Sequence, residues 1–186
     1  MGGIGIILDM IILFALVGGV LWNMRRGFLR ALIGFIMLFL AMTVAALLYR
    51  VLLNWFGANV GGAAANSTSG AYVFGFMIIV FYSFFEYMVS RNYPGLRLQR
   101  LGMWDNILGA AIGIAWSLLA IGLFLLTLDF WTVSVGRGMP AVDVFGDLLA
   151  TSWLTRVFRQ FFNLPLAPLK LLFPDGLPEI FRYFTR

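Results

Sequence analysis

Asp9, Arg50 and Glu86 are the charged side chains that fall inside the first three long apolar runs of this sequence. A charge held within a bilayer is expensive, so each is a functional candidate, as a proton relay or part of a polar path. Depth weighs against that role for Asp9. Arg26 follows it by 17 residues, about 25 Å along a helix at ~1.5 Å per residue. If Arg26 marks one membrane face, Asp9 lies just inside the other, where its carboxylate reaches water or pairs with Arg50, near the same end of the second run. Glu86 stands five residues before Arg91, where it snorkels to the interface or pairs with a loop arginine. No two carboxylates lie close enough in sequence to suggest a paired acid–base site.

The chain has no cysteine and no histidine. Thiol nucleophiles, disulfides, the usual zinc sites and histidine-based proton transfer are therefore excluded. Intramembrane serine proteolysis with a Ser–His pair and the H-E-x-x-H metalloprotease pattern fall with the histidine. A Ser–Lys dyad would need Lys170, the sole lysine, in the tail. No catalytic residue, metal or cofactor is expected. No basic surface interleaved with aromatic residues suggests nucleic acid.

The elements that must position these residues follow from solvation. Of 186 residues, 62% are hydrophobic and 11% charged, against about 25% charged in a soluble domain. Four runs reach the ~20 residues needed to span a hydrocarbon core: Gly3 to Trp22, Ala31 to Leu53, Ala71 to Val89 and Ile107 to Leu128. They lack the polar alternation of barrel strands, so helices are expected. The first run has no basic flank before it and no small-residue cleavage site after it, so it is expected to remain as a span.

Arg25, Arg26 and Arg30 follow the first run, and Arg91, Arg97 and Arg100 follow the third. The connection Asn54 to Gly70 carries no charge. Loop arginines mark the cytoplasmic side, which predicts extracytoplasmic termini. Trp22, Trp55, Trp104 and Trp131 fall at the expected interfaces, where amphipathic rings collect.

Beyond residue 131 the character changes, and Pro140, Pro165, Pro168, Pro174 and Pro178 forbid one long helix. Asp143 to Asn163 reads as an amphipathic helix, with Trp153, Leu154, Val157, Phe158 and Phe161 on one face. Leu164 to Phe173 is expected to be broken, and Pro178 to Arg186 to form a last turn or two. The expected fold is all-α: a polytopic bundle of four transmembrane helices over residues 1–131, then an extracytoplasmic, proline-rich tail over 132–186 with an interfacial amphipathic helix.

Gly109-Ala110-Ala111-Ile112-Gly113 is a G-x-x-x-G in an apolar run, and Gly34, Ala41 and Ala45 form a small-residue stripe in the second. Such spacing lets helix backbones approach closely, within the bundle or between two copies.

Several of these residues carry a resemblance. Asp9, the pair Gly18-Gly19, the run Arg26-Gly27-Phe28-Leu29-Arg30 and the segment Leu101 to Gly113 with Asp105, Gly109 and Gly113 together resemble the CvpA-like (colicin V production protein) membrane family. The match covers roughly residues 5–128. Where the family often carries Arg-Gly after the second glycine of the last span, this chain has Ala115-Trp116. The resemblance implies a multi-pass protein of the bacterial inner membrane, linked to colicin V export and envelope upkeep, with no catalytic residues to carry over. Asp9, Arg26, Gly27, Asp105, Gly109 and Gly113 match its motif positions and are expected to matter for bundle assembly. Some relatives append a serine protease domain; this tail is too short and lacks histidine for that.

The expected function is non-catalytic. Beyond the lipid bilayer, its partners are other membrane subunits or further copies of the chain, in envelope maintenance, secretion or a larger complex. A small oligomeric channel or transporter is the alternative, with Asp9, Thr43, Ser83, Glu86 and Ser117 as the polar groups available to line a path.

Overall fold

The structure, a computed structural model, describes residues 3–59, 67–93, 102–135, 140–172 and Phe181. The described residues form helices α1 (Gly3–Arg26), α2 (Phe28–Asn59), α3 (Ser67–Asn92), α4 (Met103–Val135), α5 (Pro140–Thr151) and α6 (Trp153–Leu172), and no strand. Four of them are long and apolar enough to cross a membrane, over Gly5–Arg26, Phe28–Trp55, Gly70–Asn92 and Met103–Val133. The protein is thus an all-α, four-span membrane bundle with an amphipathic C-terminal helix. Residues 60–66 of the middle connection lie outside the described residues, as does the expected last turn at 178–186 apart from Phe181.

The helical state follows from the solvent. Lipid offers no partner to a free backbone N–H or C=O, so each span must satisfy its own. Polar side chains within the spans turn back onto the same ladder. Thr43 Oγ1 donates to Phe39 O (2.9 Å), Thr127 Oγ1 to Leu123 O (2.8 Å) and Asn23 Nδ2 to Gly19 O (2.9 Å).

The helices outrun the apolar stretches that announce them. α1 continues through Arg25 and Arg26, and the expected connection Asn23 to Arg30 shrinks to Gly27 alone. Hydropathy marks where hydrocarbon ends, whereas helical hydrogen bonding continues into the headgroup layer. With 32 residues, α2 is about 48 Å long and exceeds a core of ~30 Å.

α4 sits at the centre and packs against α1, α2 and α3. Its side toward α1 carries Asp105, Gly109, Gly113 and Ser117 at every fourth position, all buried. On α2 the buried positions Ala31, Gly34, Leu38, Ala41, Ala45 and Tyr49 recur at spacings of three or four, one face of a bundle helix. The outward faces are apolar too: Phe14 is 75% exposed, as suits a surface solvated by lipid.

The tail departs from expectation in three respects. The helix expected over Asp143–Asn163 is interrupted at Ser152, giving α5 and α6. α6 then runs through Pro165 and Pro168 to Leu172 instead of breaking after Leu164. A helix-interior proline costs about 3 kcal/mol, but Phe162, Leu166 and Leu169 are fully or nearly fully buried around these two and hold the segment in place. The buried face is also rotated: it comprises Thr155, Phe158, Phe162, Leu166 and Leu169, while Trp153 and Phe161 are more than half exposed. The start of α6 is fixed by a bond to α1, described below, and that bond sets the helix phase. α5 and α6 both pack on α1 and α4. Phe181 is fully buried and meets Phe74 of α3 edge-on, ring centroids 5.5 Å apart.

Candidate functional site

Gly27 is the one residue between α1 and α2. Its φ of +84° lies in the left-handed region, which lets α1 end and α2 begin within one residue. Its N–H bonds Asn23 O (3.2 Å) and its carbonyl accepts the first bond of α2, from Ala31 N (3.0 Å). The N–H of Phe28, at the first position of α2, finds no partner within its own helix. Asp105 Oδ1, 77 residues downstream in the first turn of α4, accepts it at 2.9 Å. The carboxylate is 5% exposed and faces the positive ends of two helix dipoles, those of α2 and α4.

The glycines on α4 make that approach possible. A Cβ on Gly109 would stand 3.0 Å from Asn23 O and from the carbonyl carbon of Gly27. One on Gly113 would stand 2.8 Å from the Asn23 Cβ. Gly19 of α1 faces the Ser117 side chain in the same manner. Asn23 Oδ1 and Ser117 Oγ, both buried on this seam, have no hydrogen-bond partner among the described residues.

Beside this junction Arg26 and Arg30 both donate to Glu86 Oε1 of α3, Arg30 at 2.8 Å. The three side chains are 14–22% exposed. Arg26 also lies over the Trp22 ring, 5.4 Å from its centroid, within cation–π range. Glu86 therefore pairs with arginines from α1 and α2, whereas Arg91 turns to the Tyr87 hydroxyl (2.9 Å).

Asp9 forms a second junction toward the other end of α1. Its Oδ1 accepts from Ser152 Oγ (2.6 Å) and Leu154 N (3.0 Å), and its Oδ2 from Trp153 N (3.4 Å). Ser152 in turn accepts from Thr155 N (3.0 Å) and Thr155 Oγ1 (2.9 Å). Ser152 is thus the N-cap of α6, and Asp9 supplies a second cap from another helix. Gly5 gives α5 room, since a Cβ there would stand 2.8 Å from Thr151 O. A third contact ties α6 to α4: Arg159 donates to Asp129 Oδ1 at 2.8 Å. These two border an outward-opening cavity of about 730 Å³, with Asp143 and Asp147 of α5 on its far wall.

Of the residues singled out by sequence, Gly27, Asp105, Gly109 and Gly113 come together where α1, α2 and α4 meet, and Arg26 sits beside them. Asp9 stands apart, against α6. The Arg50 side chain lies outside the described residues; the partners that Asp9 does show all belong to the α5–α6 junction. Sequence reasoning missed Ser152, Asp129 and Arg159 as contact residues. Ser152 did carry a signal, a serine just ahead of an apolar-periodic run. Asp129 and Arg159, 30 residues apart, carried none.

The family model for colicin V production protein matches residues 8–162. The chain belongs to the colicin V production protein family. The matched region begins one residue before Asp9 and includes Asp105, Ser152 and Arg159, so both junctions fall within it. No curated protein and no solved structure matches the chain. Among the described residues, no group of three or more acidic side chains is placed to hold a metal ion. As a multi-pass membrane protein of the colicin V production family, the chain joins its helices through charged side chains.

Proposed function

We propose that the protein is a non-catalytic bundle that acts through other membrane proteins, in envelope maintenance or secretion, as a stand-alone factor or an accessory subunit. The observation that carries this reading is the fate of its polar groups. Asp9 is bonded by α6, Asp105 by the α2 amide, Glu86 by two arginines and Asp129 by Arg159. Thr43 bonds its own helix and Ser117 packs on Gly19. Asp9, Glu86, Thr43 and Ser117, four of the groups available to line a channel, thus serve separate contacts within or between helices, which argues against the transport alternative. What remains for recognition is the outer surface, rich in large apolar side chains such as Phe14, Phe76 and Trp153.

The test is purification of the tagged full-length protein from its native membrane in mild detergent. Stoichiometric co-purification of one or more other membrane proteins is expected. Migration as a lone protomer, without partners, would overturn the accessory-subunit reading.

We further propose that the protein resides in the bacterial inner membrane with both termini and α5–α6 on the extracytoplasmic side, by the arginine asymmetry of the connections. Cysteines introduced as Ser67→Cys and Asn92→Cys are expected to react with an impermeant maleimide from opposite sides. Reaction of both from one side would refute the topology.

A further inference from the structure

A groove of about 400 Å³ runs between α3 and α4, open to the surrounding membrane. Its walls include Ile79, Ala120 and Phe124, and its floor is Trp116. Gly75 opens the wall where α3 passes the Thr127 methyl. Almost all of its lining is apolar, and Ile79 and Phe124 are both more than 60% exposed at the rim. Tyr82 and Ser83 close one end. Tyr82 stacks obliquely on Trp116, ring centroids 6.2 Å apart. Glu86, which pairs with Arg26 and Arg30, lies one helical turn beyond Tyr82 on α3.

That cluster is not electrically balanced. Two guanidinium groups face one carboxylate, and both donate to the same oxygen, Glu86 Oε1. Counted by themselves, these three side chains carry one net positive charge. Each planar guanidinium offers five N–H donors in a fork that suits a phosphate; Arg30 uses one of them among the described residues. The Arg26 and Arg30 side chains are 22% and 14% exposed, at the end of α1 and the start of α2.

We propose that this groove seats one acyl chain of an anionic phospholipid from the leaflet at the arginine end, with its phosphate held by Arg26 and Arg30. The charge sets the class. A zwitterionic lipid fills the apolar groove equally well but brings its own cation to an already positive site, whereas an anionic headgroup neutralises the excess. The inference does not depend on which protein partners the bundle has.

The experiment is native mass spectrometry of the full-length protein in detergent, with phosphatidylglycerol and phosphatidylcholine of identical chains added at equal concentration. The wild type is expected to retain phosphatidylglycerol at least about tenfold over phosphatidylcholine, the factor given by one charge-assisted hydrogen bond. Arg30→Gln leaves the Arg26–Glu86 pair and a neutral cluster, so the preference is expected to vanish. Ser83→Trp fills the groove from an exposed position that the helix packing does not use, and retention of both lipids is expected to fall. Circular dichroism establishes that the variants keep their helices; if Arg30→Gln does not, Ser83→Trp decides. Equal retention of the two lipids by the wild type, or retention unchanged by Ser83→Trp, overturns the proposal.

Discussion

Gly27→Val is expected to destabilise the bundle by about 3 kcal/mol or more and to loosen α1 from α4. Two costs combine. A non-glycine residue in the left-handed region costs ~1–2 kcal/mol, and a β-branched one more. The new Cβ also collides with the Asp105 carboxylate. Displacing that carboxylate strands the Phe28 N–H in a buried site, worth a further ~1–3 kcal/mol. Gly109→Leu is expected to act on the same contact from the other side, since the backbone of α1 stands 3.0 Å from its Cβ position and cannot yield as a side chain would. Denaturant titration in lipid–detergent micelles, followed by loss of helical circular dichroism, measures both. A Gly27→Val protein as stable as the wild type would show that the turn does not need this conformation.

Asp9→Ala is expected to free α6 while leaving the four spans assembled. The carboxylate is an external cap, and loss of a cap costs ~0.5–2 kcal/mol. The Ser152 hydroxyl, 1% exposed, would also lose its acceptor, at ~1–3 kcal/mol. Amide hydrogen exchange reads this directly: residues 153–172 are expected to exchange about tenfold faster or more, by local opening, with α2 and α3 unchanged. Asp9→Asn keeps an acceptor for Ser152 and Leu154 and is expected to restore part of the protection. Unaltered exchange in α6 of Asp9→Ala would mean that its apolar face alone holds it down.

The bundle was legible in the sequence because transfer to lipid acts on each run by itself, and a run such as Ile107 to Leu128 needs no knowledge of its neighbours. The helix ends were less legible, since Arg25 and Arg26 end an apolar run without ending a helix. The glycines were legible as close contacts but not as to partner: the spacing of Gly109 and Gly113 serves a neighbouring helix or a second copy equally well, and only the fold brings them to the α1–α2 turn. Asp9 was read for its depth and its motif position, with Arg50 as its candidate partner. Its partners are 143 to 145 residues away, and no local pattern encodes a separation of that kind. The tail misled for a related reason. Proline rules describe an isolated chain, whereas α6 is held by Leu166 and Leu169 against the bundle.

The Asp105–Phe28 bond orders the assembly of the protein in time. A ribosome delivers α1 and α2 to the membrane before Asp105 has been made, so the hairpin is released with its tightest corner unfinished. Only when the fourth helix arrives, 77 residues later, does the corner receive its acceptor. The last of the four spans is therefore the keystone.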